Sequence, residues 1–166
     1  EHLVAVDHHR RRQRHRTGRG DQVGRPAQQR VGLGPGQRVA RPAREAWLVV
    51  AMRGGHKVLL ERRPPSGIWG GLWGLPECPT RAHADQWCRE HLSGAGAPRT
   101  SEPLKHAFSH FDYHMRPLVV HCLGKAESLR DDDRFLWYDA RRPAKVGLPK
   151  PIATLVARVT RDLEAD

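Results

Sequence analysis

The chain has few cysteines and no long apolar segment. Its 166 residues include three cysteines, Cys78, Cys88 and Cys122. An odd number without a close pair argues against a disulfide scaffold and against a cysteine-based metal cluster. No run of about 18 apolar residues is present, which excludes a membrane-spanning helix, and the N-terminus lacks the apolar stretch of a secretory signal. We therefore expect a cytoplasmic protein of a reducing compartment that has no membrane partner.

Aromatic residues are missing from the first 44 positions, and acidic residues are scarce there. Residues 1–44 hold 11 Arg against three acids, a net charge of +8, whereas residues 45–166 carry +3 of the total of +11. A segment this basic cannot bury enough apolar surface to offset its conformational entropy. We predict that residues 1–44 are a disordered segment or a remnant, and that residues 45–166 form one domain. Whether the segment is an arm that follows phosphates, a plain tail or a misplaced start stays open.

From Glu45 onward, strand and helix patterns predict an α+β fold. Gly54-Gly55 lies between two apolar runs, which is typical of a two-residue hairpin turn. Thr80 is placed to cap a helix that Gly94 ends, and Pro151 opens a second, amphipathic helix. The predicted strands cover residues 46–52, 57–63, 103–110, 113–123 and 134–138, and the helices lie near residues 80–93 and 151–163.

Three histidines are spaced by four residues and invite a metal-binding interpretation. His106, His110 and His114 would share one face of a continuous strand. Phe108 and Asp112 would share that face as well, and no cysteine or carboxylate pair nearby completes a site. We therefore favour solvated or hydrogen-bonded histidines, and we predict no metal ligands and no catalytic residues in this chain.

Three blocks of sequence resemble the C-terminal domain of MutY-type adenine DNA glycosylases. The first, residues 59–77, reads LLERRPPSGIWGGLWGLPE and joins a Pro-Pro turn to a Gly-Gly pivot between tryptophans. The second, residues 105–111, reads KHAFSHF and is similar to the family's Phe-Ser-His loop. The third comprises Trp137-Tyr138 and residues 146–152. The blocks occur in the family's order and together cover about residues 45–164.

The resemblance implies a Nudix-like α/β/α sandwich with a mixed sheet. It does not imply the diphosphate hydrolysis of working Nudix enzymes, which hold divalent metal with several glutamates on one helix and its approach loop. At the corresponding positions only Glu90 remains, because the other ligand positions fall on Arg81, Ser93 and Gly94. A single carboxylate cannot build that metal site.

The resemblance also implies a lesion-reading role for residues 108–110. In the family this domain verifies the base opposite the adenine to be removed, and it favours 8-oxoguanine. Ser109 would hydrogen-bond the altered N7 edge of the lesion, Phe108 would pack or wedge at the loop, and His110 would orient Ser109 or touch a phosphate. Arg62 and Arg63 would meet backbone phosphates. The alternatives from the residues alone are core phenylalanines, an exposed loop hydroxyl and a solvated hairpin end.

The implied partner is double-stranded DNA with 8-oxoguanine opposite adenine, bound by a monomer associated with a bacterial nucleoid. The family's catalytic residues and 4Fe-4S cluster belong to a larger N-terminal region, so we expect no cofactor here and no glycosidic bond cleavage by this chain. Two alternatives remain: a Nudix-type hydrolase of oxidised nucleoside triphosphates, and a nonspecific basic binder driven by residues 1–44.

Overall fold

The computed structural model describes residues 41–123 and 133–165, which form eight strands and two helices. In chain order these are β1 (Ala43–Arg53), β2 (Lys57–Arg62), β3 (Trp73–Gly74), β4 (Glu77–Cys78), α1 (Arg81–His91), β5 (Arg99–Thr100), β6 (Leu104–Ala107), β7 (Asp112–His121), β8 (Phe135–Asp139) and α2 (Lys150–Glu164). No helix in these two ranges is long and apolar enough to cross a membrane.

The start of β1 differs from the sequence-based boundary at residue 45. Ala43 and Arg44 were included in the segment predicted to be disordered, but both belong to β1. They are ordered by pairing, since Ala43 lies opposite Asp112 and Arg44 opposite Tyr113. The predicted disorder of residues 1–40 concerns positions outside the described residues.

The strands form one mixed sheet with the order β3-β2-β1-β7-β5. β1 and β7 run parallel, in a register that extends from Ala43 opposite Asp112 to Met52 opposite His121. The other pairs are antiparallel: β4 pairs with β1, β6 with β7, and β8 with β2. A parallel pair needs a long crossover connection, and here the chain between β1 and β7 provides it.

The glycine pair connects β1 to β2 as predicted, but with a longer turn. Arg53 lies opposite Lys57, so the connection holds three residues, Gly54, Gly55 and His56. Both glycines have positive φ angles, 59° and 73°, which side chains rarely adopt. The His56 Nδ1 atom lies 2.6 Å from the Gly54 carbonyl oxygen and closes the turn.

Each helix covers one face of the sheet, because successive residues of β1 point to opposite sides. Leu48, Val50 and Met52 pack in the cluster that contains the apolar stripe of α2. Val49 and Ala51 pack in the cluster that contains the buried residues of α1. The helix residues are Ile152, Leu155, Val156 and Val159 from α2, and Ala84 and Cys88 from α1. The α/β/α sandwich with a mixed sheet is thereby confirmed.

Both helices begin close to their predicted starts. The Thr80 hydroxyl accepts a hydrogen bond from the His83 amide at 3.3 Å, which caps α1 as expected. α1 ends at His91, three residues before Gly94, because the Leu92 backbone leaves the helical conformation. α2 begins at Lys150, one residue before Pro151, whose fixed φ suits a first helical turn.

Candidate nucleic-acid interface at the β6–β7 hairpin

The Phe-Ser-His segment lies at the tip of a β-hairpin. β6 and β7 pair antiparallel, with Ala107 opposite Asp112, and residues 108–111 connect them. The Phe108 amide donates to the Phe111 carbonyl at 2.9 Å and closes the connection. The strand predicted over residues 103–110 therefore ends at Ala107, and Ser109 and His110 are exposed.

The hairpin separates the histidines that a continuous strand would have aligned. His106 lies opposite Tyr113, whereas His114 lies opposite Lys105. Directly opposite residues share a face and neighbours alternate, so His106 and His114 point to opposite faces of the sheet. Within residues 41–123 and 133–165, no three His, Cys, Asp or Glu side chains are grouped to hold a metal ion.

Ser109 and His110 form a polar pair at the tip. The Ser109 Oγ atom lies 3.3 Å from His110 Nε2, and either atom donates according to the tautomer of the ring. A hydroxyl offers one donor and two acceptor positions, so this bond leaves the Ser109 oxygen with further capacity. When Ser109 donates to His110, the oxygen presents only lone pairs to solvent or to a base edge.

An aromatic cluster supports the tip from below. The Phe108 ring stacks on Phe111 with centroids 4.8 Å apart and an interplanar angle of 22°. His106 meets the same ring edge-on at 4.7 Å, and Trp69 lies 5.5 Å from it. Phe108, Phe111 and Trp69 are half-buried and pack against the core on the α2 face. Phe108 thus packs within the protein, and a wedge into DNA stays a prediction.

Trp69 is held in an unusual backbone conformation. Its φ of 55° is the one positive value among non-glycine residues in the described ranges, and this conformation costs roughly 1–2 kcal/mol. The Leu72 amide donates to the Trp69 carbonyl at 3.1 Å, and the Gly71 amide donates to Pro64 at 3.0 Å. A Cβ at Gly70 would collide with the Pro65 carbonyl oxygen. The loop is therefore closely packed, and it presents the indole to the hairpin.

Arg63 stabilises this loop, whereas Arg62 faces solvent. The Arg63 Nε atom donates to the Ile68 carbonyl at 2.8 Å, and its Nη1 atom lies 2.8 Å from Glu77 Oε2. The Arg63 side chain is 16% exposed. Arg62, the last residue of β2, is exposed. Phosphate contacts stay a prediction for both arginines, but the guanidinium of Arg63 is already engaged within the protein.

A half-buried carboxylate, that of Glu77, lies close to the cluster. Arg44 Nη2 donates to Glu77 Oε1 at 2.9 Å, so two arginines flank the Glu77 carboxylate. Burial, and next the negative charge of Glu77, raise the pKa of Tyr113, so its hydroxyl stays protonated. The Tyr113 ring lies 5.9 Å from Trp69 and is fully buried. These contacts hold Glu77 and Tyr113 in place next to the aromatic cluster that supports the hairpin.

Arg41 is a contributor that sequence reasoning missed. Its Nη1 atom donates to the Phe108 carbonyl at 3.1 Å, and its Nε atom lies 3.7 Å from Asp112 Oδ1. The Asp112 amide also donates to the Pro42 carbonyl at 2.9 Å. The residue belonged to the segment predicted to be disordered, and no local pattern signals contacts across 67 positions.

The α1 face shows what occupies the positions of Nudix metal ligands. Arg81 forms an ion pair with Asp85 at 2.9 Å, and Glu90 Oε1 accepts from Gln86 Nε2 at 2.7 Å. Ser93 and Gly94 bring no carboxylate. These residues stabilise the helix surface and do not fit a divalent metal.

The three cysteines do not fit a cluster-binding role either. Cys78, Cys88 and Cys122 are buried in the core on the α1 face. Burial raises the pKa of each thiol, that of Cys88 to about 11. A four-cysteine iron–sulfur cluster needs one more thiolate than this chain possesses.

The mixed sheet with one helix on each face is the fold of a Nudix-type domain. Residues 46–158 match the family model described as NUDIX domain, and the chain belongs to that family. The chain is also 20% identical over 122 residues to the adenine DNA glycosylase of Buchnera aphidicola subsp. Acyrthosiphon pisum, a match that covers 74% of this chain and 35% of that protein. It spans about a third of the length of the curated relatives it matches.

Two solved structures share the fold of this chain. The C-terminal domain of mouse MUTYH, in complex with human PCNA, aligns with a TM-score of 0.52 at 18% identity, over 74% of this chain and 90% of that one. The MutT protein from Methanosarcina mazei Go1 aligns with a TM-score of 0.51 at 15% identity, over 74% of this chain and 96% of that one. The predicted resemblance to adenine DNA glycosylases is confirmed, and the structural matches show the fold.

Proposed function

We propose that this domain is the lesion-recognition module of an adenine DNA glycosylase in base excision repair, where it reads 8-oxoguanine opposite adenine. The observation that carries the proposal is the exposed Ser109–His110 pair on a packed aromatic base. The similarity to adenine DNA glycosylases supports it. The domain acts as a monomer on double-stranded DNA in the cytoplasm and needs no cofactor of its own.

The chemistry of the tip suits the difference between the two purines. Guanine presents N7 as an acceptor, whereas 8-oxoguanine carries a hydrogen on N7 and presents a donor. When the Ser109 hydroxyl donates to His110 Nε2, its oxygen is free to accept a further hydrogen bond. It then accepts from the N7 hydrogen of 8-oxoguanine, whereas the N7 lone pair of guanine repels it. An unmatched polar pair of this kind costs about 1–3 kcal/mol, which is sufficient for selective reading.

Removal of adenine itself belongs to a catalytic region that the full glycosylases supply. This chain performs the recognition step and has no role in cleaving the glycosidic bond. The side chains of α1 do not favour nucleotide hydrolysis, since Arg81 and Glu90 already contact other residues of the helix.

The test compares the dissociation constants of two duplexes that differ only in 8-oxoguanine or guanine opposite adenine. We expect the wild-type chain to bind the lesion duplex about tenfold more tightly. Ser109→Ala should reduce this ratio toward one, because the acceptor is removed. The matched control is Ser93→Ala, an exposed serine beyond α1, which should retain the wild-type ratio.

Two results would count against the proposal. One is equal binding of both duplexes by the wild-type chain. The other is magnesium-dependent release of pyrophosphate from 8-oxo-dGTP, which would favour a hydrolase instead.

A further inference from the structure

The bend at Ser109 and His110 lacks one of the hydrogen bonds that usually close a two-residue turn. Phe108 and Phe111 flank the bend, and residues in such positions of an antiparallel hairpin commonly exchange two backbone hydrogen bonds. Of these, the bond from the Phe108 amide to the Phe111 carbonyl is present, at 2.9 Å. The reverse bond is absent from the backbone hydrogen bonds of residues 41–123. The backbone alone therefore closes the bend incompletely.

The Arg41 guanidinium supplies the donor that the Phe108 carbonyl lacks from the backbone. Its Nη1 atom donates to that carbonyl at 3.1 Å, and its Nε atom lies 3.7 Å from Asp112 Oδ1. Phe108 directly precedes the Ser109–His110 pair, and Asp112 is the first residue of β7. One guanidinium thus contacts both sides of the loop that carries the polar pair.

The start of β1 brings Arg41 to this position. Ala43 lies opposite Asp112 in the parallel pairing of β1 with β7, and the Asp112 amide donates to the Pro42 carbonyl at 2.9 Å. Arg41 directly precedes these two residues of the pairing. The sheet therefore holds its backbone beside the hairpin, and the side chain reaches the bend from a fixed base.

The Arg41 contact affects the geometry of the bend more than the stability of the domain. The Arg41 side chain is 50% exposed, and its bond to the Phe108 carbonyl lies at the surface. Water can satisfy an exposed carbonyl once the guanidinium is removed, and exposed ion pairs contribute little to stability. Water does not hold the carbonyl in one position, however, because it has no covalent link to β1. Loss of Arg41 should therefore release the bend and preserve the fold.

Resting on the proposed function, we propose that Arg41 is a positioning residue for lesion recognition, which holds the Phe108 carbonyl so that the Ser109 oxygen keeps one direction. A bend that is fixed before binding presents this oxygen as an acceptor and does not adjust to guanine. A mobile bend lets the Ser109 hydroxyl turn and donate to the N7 lone pair of guanine, so that both purines are tolerated. Arg41 thus increases the difference in affinity without contacting the base.

The test uses the full chain, the same two duplexes and variants of two arginines. Arg41→Met removes the donor and the charge but keeps a long unbranched side chain. The matched control is Arg116→Met, because the Arg116 side chain is 47% exposed and its Nε atom lies 2.8 Å from Glu45 Oε1, within the strands and away from the bend. Each variant loses one exposed positive charge and one surface ion pair, and chemical denaturation verifies that each is folded.

We expect Arg41→Met to reduce the ratio of dissociation constants for the guanine and lesion duplexes from about tenfold to about threefold or less, because the bend no longer excludes guanine. In the free chain, the backbone amides of Ser109 and His110 should become more mobile, as relaxation measurements by nuclear magnetic resonance show. Arg116→Met should retain the wild-type ratio and the wild-type relaxation. Both variants should unfold close to the wild-type midpoint, since both contacts are at the surface.

A third variant, Arg41→Lys, separates positioning from charge. It keeps the positive charge, but a lysine ammonium lacks the planar guanidinium that contacts two groups at once. We expect the salt dependence of binding to remain at its wild-type value and the ratio between the duplexes to fall as in Arg41→Met. A wild-type ratio in Arg41→Lys would show that charge alone is sufficient, and it would overturn the proposal.

The possible failures are distinguishable. An unchanged ratio in Arg41→Met, or an equal loss in Arg41→Met and Arg116→Met, would overturn the positioning role and leave lesion reading in place. A wild-type chain that binds both duplexes equally, or binds neither, would contradict lesion reading. The relaxation of Ser109 and His110 then decides whether Arg41 holds the bend: greater mobility in Arg41→Met would support this, and unchanged mobility would overturn it.

Discussion

Each face of the sheet carries one helix, but the two faces expose different chemistry. On the α1 face, polar side chains bond to one another along the helix, as in Arg81–Asp85 and Gln86–Glu90. On the α2 face, the sheet extends into a hairpin whose exposed tip, Ser109 and His110, stands on packed aromatic rings.

This difference shows that one fold can be retained while the polar side chains on its surface differ. The resemblance places the metal ligands of working Nudix hydrolases on the helix that corresponds to α1, and here Arg81 and Glu90 on that helix bond to other residues of the helix. The β6–β7 hairpin carries the exposed Ser109–His110 pair on aromatic rings that pack on the α2 face. A fold shared with hydrolases therefore says little about the reaction, and function depends on the side chains of each face.

The largest expected effect is a difference in lesion discrimination between variants of two half-buried tryptophans, one on each face of the sheet. Trp69→Ala should lower the free energy of unfolding by about 3 kcal/mol and also abolish lesion discrimination, because Phe108 loses its support. Trp87→Ala removes a ring stacked on His91 at 4.5 Å, and it should cost similar stability but keep the discrimination. Chemical denaturation and duplex binding measure the two quantities. Equal loss of discrimination in both variants would contradict a distinct role for the α2 face.

The next effect concerns the buried thiol of Cys88 on α1. Burial first, then the nearby Asp85 charge, raise the pKa of Cys88 from 9.0 to about 11. The thiol therefore stays protonated as the pH rises through 9, and the native protein contains roughly a hundredfold less reactive thiolate at pH 8 than the unfolded chain. We expect iodoacetamide to modify Cys88 slowly until the protein unfolds, as mass spectrometry can show. Rapid native labelling would mean that the α1 face opens readily.

A smaller effect is expected at the cap of α1. Thr80→Ala removes the oxygen that accepts from His83, and it should reduce stability by about 1 kcal/mol. The ratio of dissociation constants for the lesion and guanine duplexes should not change. A change in that ratio would show that α1 communicates with the hairpin.

The smallest effect is expected at the remaining glutamate of α1. Glu90→Gln keeps a hydrogen-bonding side chain at an exposed position, so stability should change by less than about 0.5 kcal/mol. Thermal unfolding and duplex binding should both match the wild-type chain. A clear loss of duplex binding in this variant would show that the α1 face has a functional role.

Local patterns in the sequence predicted much of this architecture. Gly54-Gly55 marked the first hairpin, Thr80 the cap of α1, and the apolar spacing after Pro151 the buried face of α2. These features depend on backbone preferences within a few residues, which a sequence displays directly.

The remaining features depend on distant contacts. The parallel pairing of β1 with β7 joins residues far apart in the chain, and the two-residue strands β3 and β4 carry no periodicity. Trp69, which packs against Phe108, has a positive φ angle, and no sequence motif predicts that conformation. Arg62 and Arg63 are adjacent in sequence, but only packing shows that one faces solvent and the other joins Glu77.

The central claim is that the hairpin tip reads the lesion and the α1 face does not take part. The most direct test is an amide chemical-shift map of the isotope-labelled chain, titrated with the 8-oxoguanine duplex and with its guanine counterpart. The account predicts that lesion-dependent shifts concentrate at residues 108–111 and are minimal over residues 81–91. Lesion-dependent shifts centred on α1, or identical shifts with both duplexes at the hairpin, would contradict it.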